Sequence, residues 1–420
     1  MNMQESLNKL FALHTFGVKL GLENTQKFLN QIGNPQNNLK TIHIAGSNGK
    51  GSTSSFIASI LMESGFKIGL YTSPHFVKFN ERISINGKYI PDDFIANFID
   101  KHQKYIDEYQ LTFFEVTTAM AFEYFVFSGV DYAVIETGLG GRLDATNVLN
   151  PLACVITSIS LEHTAILGDK LEQIAFEKSE IIKRGSKTFI GLLPEVAIKV
   201  IEKKCLSVKS PLFCLEEYIN EKNDNIQLYT EELDFDEWEV PLIGKHQKYN
   251  AALASLCAAK TFDIDDPAVI TRGVKNVVKN TKLQGRYEII SDKPRIILDS
   301  AHNPEGITCL VNQFDKEKSN YKTSSLLFGA MRDKNIDEML LLVRNSFTNI
   351  YFYEINYERA ASLGLLKERA ERRGINFSVV KNLEDFLNKH LRGDKDNCLV
   401  IAGSMYLLGE IKFILPKIKS

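Results

Sequence analysis

An excess of either charge is missing from this sequence, and so are long apolar runs and any clustering of cysteine. Its 50 basic and 52 acidic side chains leave a formal net charge of −2, so no global field draws the chain to nucleic acid or to an anionic membrane surface. Any anion it handles must be bound locally. No stretch approaches the ~18 uninterrupted apolar residues of a membrane-spanning helix, and the start, MNMQESLNKL, lacks a basic segment followed by an apolar run. The six cysteines (Cys154, Cys205, Cys214, Cys257, Cys309 and Cys398) lie far apart with no C-x-x-C spacing. That spacing argues against a zinc site or a disulfide framework and for buried free thiols in a reducing compartment. Together these absences predict a cytoplasmic chain that neither enters a membrane nor binds nucleic acid.

What is present is ordinary in amount and ordered in pattern. Hydrophobic residues make up 44% and charged ones 24% of 420 residues, a length greater than one core usually holds, so two domains are expected. Short β-branched or aromatic runs alternate with stretches whose apolar positions recur at helical spacing, the pattern of βαβ units around a parallel sheet. Strands are predicted at 41–45, 68–72, 132–136, 154–159 and 188–191, and helices over 52–64 and 117–127. A second series begins near Pro294 with IILD, LLFGAM, IYFYEI, FSVV and CLVIAGS, and predicts a smaller, Rossmann-like α/β domain. The polar, glycine-bearing segment KNTKLQGR at 279–286 is the linker candidate, giving domains of 1–284 and 285–420. The charged stretch 216–236 reads as a peripheral hairpin or loop.

The first chemical feature is Gly46-Ser47-Asn48-Gly49-Lys50-Gly51-Ser52, directly between the strand TIHIA and a helix. Glycines there let backbone N–H groups point into a phosphate nest, the helix N-terminus favours anions, and a lysine reaches the outer phosphates. The loop departs from G-x-x-x-x-G-K-[ST], because Ile44 stands at the first glycine position and Gly51 precedes Ser52. A tight glycine turn would use the same letters. The order of strand, glycine turn, lysine, hydroxyl and helix favours a P-loop-type ATPase domain.

In an open α/β sheet, ligands bind outside the carboxyl ends of the strands. The strand at 68–72 leads into Ser73-Pro74-His75, the strand at 132–136 ends in Glu136 and then TGLGGRLDATN, and the strand at 154–159 runs toward Glu162-His163. With Lys50 these residues can converge on one phosphate cluster. A hydroxyl, a carboxylate and an imidazole are plausible magnesium ligands, His163 being the odd member among hard oxygen donors. Taken singly, Ser73 equally suits a turn cap, Glu136 a pair with Arg142, and His163 a satisfied polar side chain.

The motifs GSNGKGS, TSPHF, NERI, TFFE, ETGLGGRLDATN, EHTAILG, EKSEIIK, GKHQKYNA, QGR, DSAHNP and FGAMRDK occur in this order over nearly the whole chain. In that order they resemble folylpolyglutamate synthase and dihydrofolate synthase of the Mur ligase superfamily. The resemblance implies an ATP- and folate-binding central-type domain at 1–284 and a glutamate ligase domain at 285–420. It implies that Ser47, Asn48, Gly49 and Lys50 wrap the ATP phosphates, with Gly51 and Ser52 opening the helix behind them. Asn250, Arg286 and Asp299 match nucleotide-binding positions. Ser73 and Glu136 would hold one Mg²⁺ and His163 would help hold a second. Lys178 matches a lysine that is carbamylated in the family, a change that turns an ammonium into a carboxylate-like anion. The pteroate side would be lined by Gly17, Val18 and Lys19, by Thr112, Phe113, Phe114 and Glu115, and by Leu143, Asp144 and Ala145. His302 and Ser404 are candidates for contacting glutamate or the reacting phosphate. Three positions depart from the family pattern: Glu162-His163 stands for D-H, EKSEI for EKAGI, and Lys19 occupies a place where some dihydropteroate-using members carry an acidic residue.

The chemistry implied is ligation of L-glutamate to dihydropteroate or a folyl carboxylate. An amine does not displace hydroxide from a carboxylate at neutral pH, so ATP first makes an acyl phosphate, which the glutamate amine attacks. Lys50 and magnesium would neutralise charge on the transferring phosphoryl group, with Lys178 and His302 as the other catalytic candidates. A Mur ligase acting on a UDP-sugar carboxylate is the nearest competitor; TSPHF and TFFE favour folate. A monomer is expected, since one chain supplies all these parts.

Overall fold

In the computed structural model, which describes residues 3–13, 21–222, 225–230, 234–235, 239–264 and 266–419, the run TIHIA forms β1 (Thr41–Ala45), buried along its whole length. Seven further strands join it: β2 (Ile68–Tyr71), β3 (Ile83–Ile85), β4 (Lys88–Tyr89), β5 (Tyr132–Glu136), β6 (Ala153–Ile156), β7 (Lys187–Ile190) and β8 (Leu212–Cys214). The sheet order is β4-β3-β2-β5-β1-β6-β7-β8, parallel from β2 to β8 with an antiparallel edge of β3 and β4. A parallel sheet is covered on both faces, which is why its strands read as unbroken apolar runs rather than alternating ones. The chain leaves β1 toward β2 on one side and crosses from β5 to β6 on the other. The carboxyl ends of β5, β1 and β6 therefore flank the switch point of the sheet, where open α/β sheets bind ligands.

Behind β1 the helix Lys50–Glu63 is buried continuously from Ser52 to Leu61. Its small side chains admit close neighbours. A Cβ on Gly273, in the helix Pro267–Lys275, would stand 2.5 Å from Ile60 Cα, and Ser59 Oγ donates to Gly273 O at 2.5 Å.

The structure adjusts four sequence expectations. β6 stops at Ile156 rather than 159, because residues 157–160 turn out of the sheet to bond the phosphate loop. The helix expected from 117 begins at Phe113, its first turn fixed by a capping box between Thr112 and Glu115. Residues 279–281 of the expected linker are helical, within Val277–Thr281. The stretch 216–236 contributes a small antiparallel sheet of β9 (Ile219–Lys222), β10 (Asn225–Tyr229) and β11 (Asp234–Phe235).

The chain forms two compact units. The first holds residues 1–74, 80–241 and 247–283; the second holds 284–420 and also takes two short segments, 75–79 and 242–246. The second unit is built on a six-stranded sheet of β12 (Glu288–Asp292), β13 (Arg295–Leu298), β14 (Thr323–Phe328), β15 (Asn349–Phe352), β16 (Ser378–Val379) and β17 (Asn397–Ala402), ordered β12-β13-β17-β14-β15-β16. Alternation places Ile297, Leu326, Phe328 and Val400 on one face and Ile296, Leu298, Leu327 and Ile401 on the other, each packed into its own apolar cluster. β12, the antiparallel edge, was not predicted: EIISD is half-exposed and has no apolar run to announce it. All six cysteines are free thiols. Among the described residues no helix is long and apolar enough to cross a membrane.

Candidate active site

The phosphate loop takes its shape from two glycines and from the segment that follows β6. Gly46 has φ +156° and Gly49 has φ +83°, the latter left-handed and at the N-cap of the helix Lys50–Glu63. A Cβ on Gly46 would fall 1.9 Å from Thr157 Oγ1, and one on Gly49 would fall 2.6 Å from Asn250 Oδ1. Ser47 N donates to Ser158 O at 2.9 Å, Ser160 N donates to Ser47 Oγ at 3.0 Å, and Ser47 Oγ donates to Ser160 O at 3.1 Å. Asn48 N donates to Ser158 Oγ at 2.8 Å, while Thr157 Oγ1 donates to Asn48 O at 2.5 Å. Thr157, Ser158 and Ser160 were missed as site residues. The signal was there as TSIS, but its first three residues were read as the end of a strand. Lys50 Nζ folds back over the loop and donates to Gly46 O at 2.8 Å and Ser47 O at 3.3 Å.

Lys178 enters this cluster from the helix Leu171–Ser179. The residue is 1% exposed, and its Nζ donates to Glu162 Oε1 at 2.7 Å and to Gly46 O at 3.0 Å. Burial pushes the Lys178 ammonium below its ordinary pKa, opposed by the Glu162 charge. Burial pushes the Glu162 carboxyl up, but the charges of Lys178 and Lys50 outweigh it and hold the group well below the usual carboxylate range. A buried pair joined directly to the phosphate-loop carbonyl keeps charge of both signs where a polyphosphate would lie.

At the carboxyl end of β5, Glu136 is buried and its Oε2 accepts from Ser73 N at 3.1 Å, so these two metal candidates are neighbours. Arg142 does not pair with Glu136; its guanidinium bonds Glu177 Oε1 at 2.9 and 3.0 Å. His163 adopts a left-handed backbone, φ 45°, at the start of the short helix Thr164–Leu167. Among the described residues no group of three or more His, Cys, Asp or Glu side chains is placed to hold a metal unaided.

The expected acceptor residues divide by what their side chains touch. Thr112 and Glu115 bond one another's backbone: Glu115 Oε2 accepts from Thr112 N at 2.6 Å and Thr112 Oγ1 accepts from Glu115 N at 3.3 Å. They set the entry of the helix Phe113–Phe127 and so aim Phe113 and Phe114. The Phe113 ring stacks on Phe11 at 6.0 Å and lies 4.9 Å from the Arg82 guanidinium, another buried residue the sequence reading passed over. Phe114 packs so near Gly138 that a Cβ there would stand 2.4 Å from the ring. Asp144 is spent inside its own loop, accepting from Leu139 N at 2.8 Å and from Thr146 N at 3.0 Å. Leu143 is half-buried and Ala145 buried beside it. Gly17, Val18 and Lys19 lie outside the described residues.

Asn250, a nucleotide candidate, does meet the phosphate loop: besides its approach to Gly49, Oδ1 accepts from Thr53 Oγ1 at 3.4 Å and Nδ2 donates to Gln247 Oε1 at 3.1 Å. Gly51 and Ser52 open the helix behind it. In the second unit, Asp299 accepts from Tyr287 N and Ala301 N, both at 2.8 Å, and Arg286 donates to Ser300 Oγ. Burial raises the Asp299 carboxyl, with its backbone donors and Arg286 opposing. His302 Nδ1 is 2.9 Å from Ser300 O, which makes Nδ1 the protonated nitrogen. Ser404 Oγ accepts from Tyr406 N at 3.1 Å and caps the last helix, Met405–Lys419.

Comparison with known proteins finds one family through both units. The Mur ligase middle domain matches residues 44–259 and the Mur ligase glutamate ligase domain matches residues 285–405. The dihydrofolate synthase/folylpolyglutamate synthase of Bacillus subtilis is 34% identical, over 94% of this chain and 95% of its own. The folylpolyglutamate synthase of Lacticaseibacillus casei is 31% identical, over 91% and 92%. Among solved structures, E. coli FolC in complex with DHPP and ADP superposes with a TM-score of 0.87 at 26% identity, covering 100% of this chain and 99% of that one. On these matches, which run through both units, the chain belongs to the folylpolyglutamate synthase and dihydrofolate synthase family of Mur ligases.

Proposed function

We propose that the protein joins L-glutamate to the carboxylate of dihydropteroate or of a folyl acceptor, using ATP to activate that carboxylate as an acyl phosphate. The observation that carries this reading is the phosphate loop held from both sides, by residues 157–160 and by Asn250, with the buried Lys178–Glu162 pair bonded to its Gly46 carbonyl. With Ser47 N and Asn48 N held on Ser158, a loop so fixed leaves the start of the helix Lys50–Glu63 to present its N–H groups to a polyphosphate, the kind of prearranged donor that electrostatic stabilisation of phosphoryl transfer requires.

Residues 1–284 are proposed to bind ATP and the acceptor, and residues 285–420 to bind glutamate. Ser47 to Ser52 and Asn250 take the phosphates on the first unit; Arg286 and Asp299 are the nucleotide residues of the second. Lys50, whose Nζ already spans the loop carbonyls, is placed to swing onto the outer phosphates. Phe113, Phe114, Leu143 and Ala145 supply apolar and aromatic surface for a pteridine-bearing acceptor. Thr112, Glu115 and Asp144 shape that surface, and Gly17, Val18 and Lys19 complete it. His302 and Ser404 are assigned to the glutamate side.

The donor set fits magnesium. Ser73 and Glu136 are adjacent, with a buried carboxylate, yet too few protein donors gather to hold an ion unaided. That is the pattern of Mg²⁺ sites completed by substrate phosphates and water. Ser73 and Glu136 would hold one ion and His163 would help hold a second; bound there, magnesium supplies positive charge against the phosphate oxygens. Carbamylation of Lys178 is proposed with them. Only a neutral amine adds CO₂, and burial favours the neutral form of Lys178. A cytoplasmic monomer is the proposed working state; the free thiols accord with a reducing compartment.

The acyl phosphate is tested with acceptor labelled by ¹⁸O in its carboxylate. Transfer of one label to the released phosphate is expected; unlabelled phosphate accompanying glutamylated product rules the intermediate out.

A further inference from the structure

β1 buries a histidine at its centre. His43 is opposite Ile135 on β5 and Cys154 on β6 and is fully buried. An imidazole in a parallel sheet must find a polar partner or leave buried groups unsatisfied. Its Nε2 lies 2.8 Å from Thr146 Oγ1, and Thr146 Oγ1 in turn donates to Asp144 Oδ1 at 2.5 Å.

The protons in this chain have one consistent arrangement. Burial raises the Asp144 carboxyl, but its donors oppose that shift, and because it accepts on both oxygens, from Thr146 N at 3.0 Å and from Leu139 N at 2.8 Å, it serves as a carboxylate acceptor. Thr146 has one hydroxyl proton and gives it to Asp144, so its oxygen must accept from His43. The His43 proton is therefore on Nε2. Nδ1 is left as a bare acceptor, buried with no hydrogen-bond partner among the described residues. Burial, with the Lys183 charge adding to it, keeps the ring neutral down to about 3.

The loop at the end of this chain is the one that carries Leu143 and Ala145. Its outer side is tied to the helix bearing Lys178: Arg142 N donates to Glu177 O at 2.7 Å, and Asn147 Nδ2 donates to Glu180 O at 3.3 Å. A Cβ on Gly141 would stand 2.6 Å from Glu177 O. Its inner side, residues 139 and 144–146, is held through Asp144 and Thr146, with His43 beneath.

We propose that His43 is a positioning residue for the acceptor: as the Nε2–H tautomer it orients Thr146, and through it Asp144, and so fixes the loop that presents Leu143 and Ala145. This rests on the acceptor role proposed above for that loop. A histidine serves here because it places a ring N–H at a set reach from the strand without carrying a charge into the sheet.

Wild-type protein is assayed first for phosphate release that requires ATP, magnesium, glutamate and a pterin acceptor. If wild type shows no acceptor dependence, the functional reading fails and the inference with it. Given wild-type turnover, His43→Leu and Thr146→Val are each expected to raise the acceptor KM roughly tenfold, equivalent to about 1.4 kcal/mol. The ATP KM and kcat should stay within about twofold. His43→Gln, whose amide N–H can reach Thr146, should recover most of the loss, and the H43L/T146V double variant should be no worse than either single one. A ¹⁵N spectrum of histidine-labelled protein, assigned with His43→Gln, should show His43 as the neutral Nε2–H tautomer at neutral pH. An Nδ1–H or doubly protonated ring, an unchanged acceptor KM, equal losses for all three substrates or additive variants would each overturn the inference.

Discussion

Asn250 closes on Gly49 so tightly that a Cβ on the glycine would stand 2.6 Å from the amide oxygen. Gly49 is also left-handed, φ +83°, which an alanine adopts only with strain of ~1–2 kcal/mol. Gly49→Ala is therefore expected to displace Asn250 and distort the phosphate nest together. Titration calorimetry with a non-hydrolysable ATP analogue should show Kd rising at least roughly tenfold, about 1.4 kcal/mol, with circular dichroism unchanged. Wild-type affinity in this variant would mean that the loop's shape does not govern nucleotide binding.

Before any carbamylation, the Lys178–Glu162 ion pair makes a prediction about the stability of the unmodified protein. Removing one member of a buried ion pair leaves the other charged and alone, at a cost of about 3–5 kcal/mol, whereas removing both is often near neutral. Lys178→Met should lower the urea midpoint markedly, and E162Q/K178M should regain most of the difference. If the two single losses simply add, the residues are not acting as a pair.

Stability should fall as the solution is acidified below neutral, and His43 contributes to that fall. Its folded pKa is lowered to about 3 from 6.5, by burial first and then by Lys183. The unfolded chain therefore takes up a proton below 6.5 that the native protein refuses. The stabilisation is complete above 6.5 and is lost progressively as pH drops toward 3. By pH 5.5 the loss from this residue should be roughly 1.4 kcal/mol. His43→Gln should have a correspondingly shallower decline in melting temperature between pH 7 and 5; parallel curves would show that His43 is not buried and neutral.

Glu136→Gln removes a negative charge beside Ser73 while keeping the acceptor that Ser73 N requires. The magnesium concentration for half-maximal activity should rise roughly tenfold, with ATP affinity measured without metal little changed. An unaltered magnesium requirement would take Glu136 out of the metal site.

The loop proposed to take the phosphates was legible in the sequence because its pattern is local: strand, glycine turn, lysine and helix follow one another along the chain, and the structure has them in that order. Asn250 came only from resemblance, since nothing local in GKHQKYNA points to Gly49. Thr157 and Ser158 were read as strand because TSI continues an apolar run, yet the strand ends at Ile156, so that the hydroxyls of Thr157 and Ser158 bond Asn48 and the backbone of Ser160 bonds Ser47 Oγ. TFFE was read as substrate surface, yet Thr112 and Glu115 form the S/T-x-x-E capping box that the letters also spell. His43 was hidden inside TIHIA, because its partner Thr146 lies over a hundred positions away. β12 escaped because a half-exposed edge strand carries little periodic signal.

In the proposed reaction, phosphate release is coupled to glutamate and a pterin acceptor. The direct measurement is phosphate release with ATP, magnesium and glutamate, run in parallel with dihydropteroate and with tetrahydrofolate. Release is expected to require glutamate and at least one of these acceptors, with a glutamylated product of matching mass. Release that ignores both glutamate and acceptor, or none at all from folded protein that binds ATP, would contradict it.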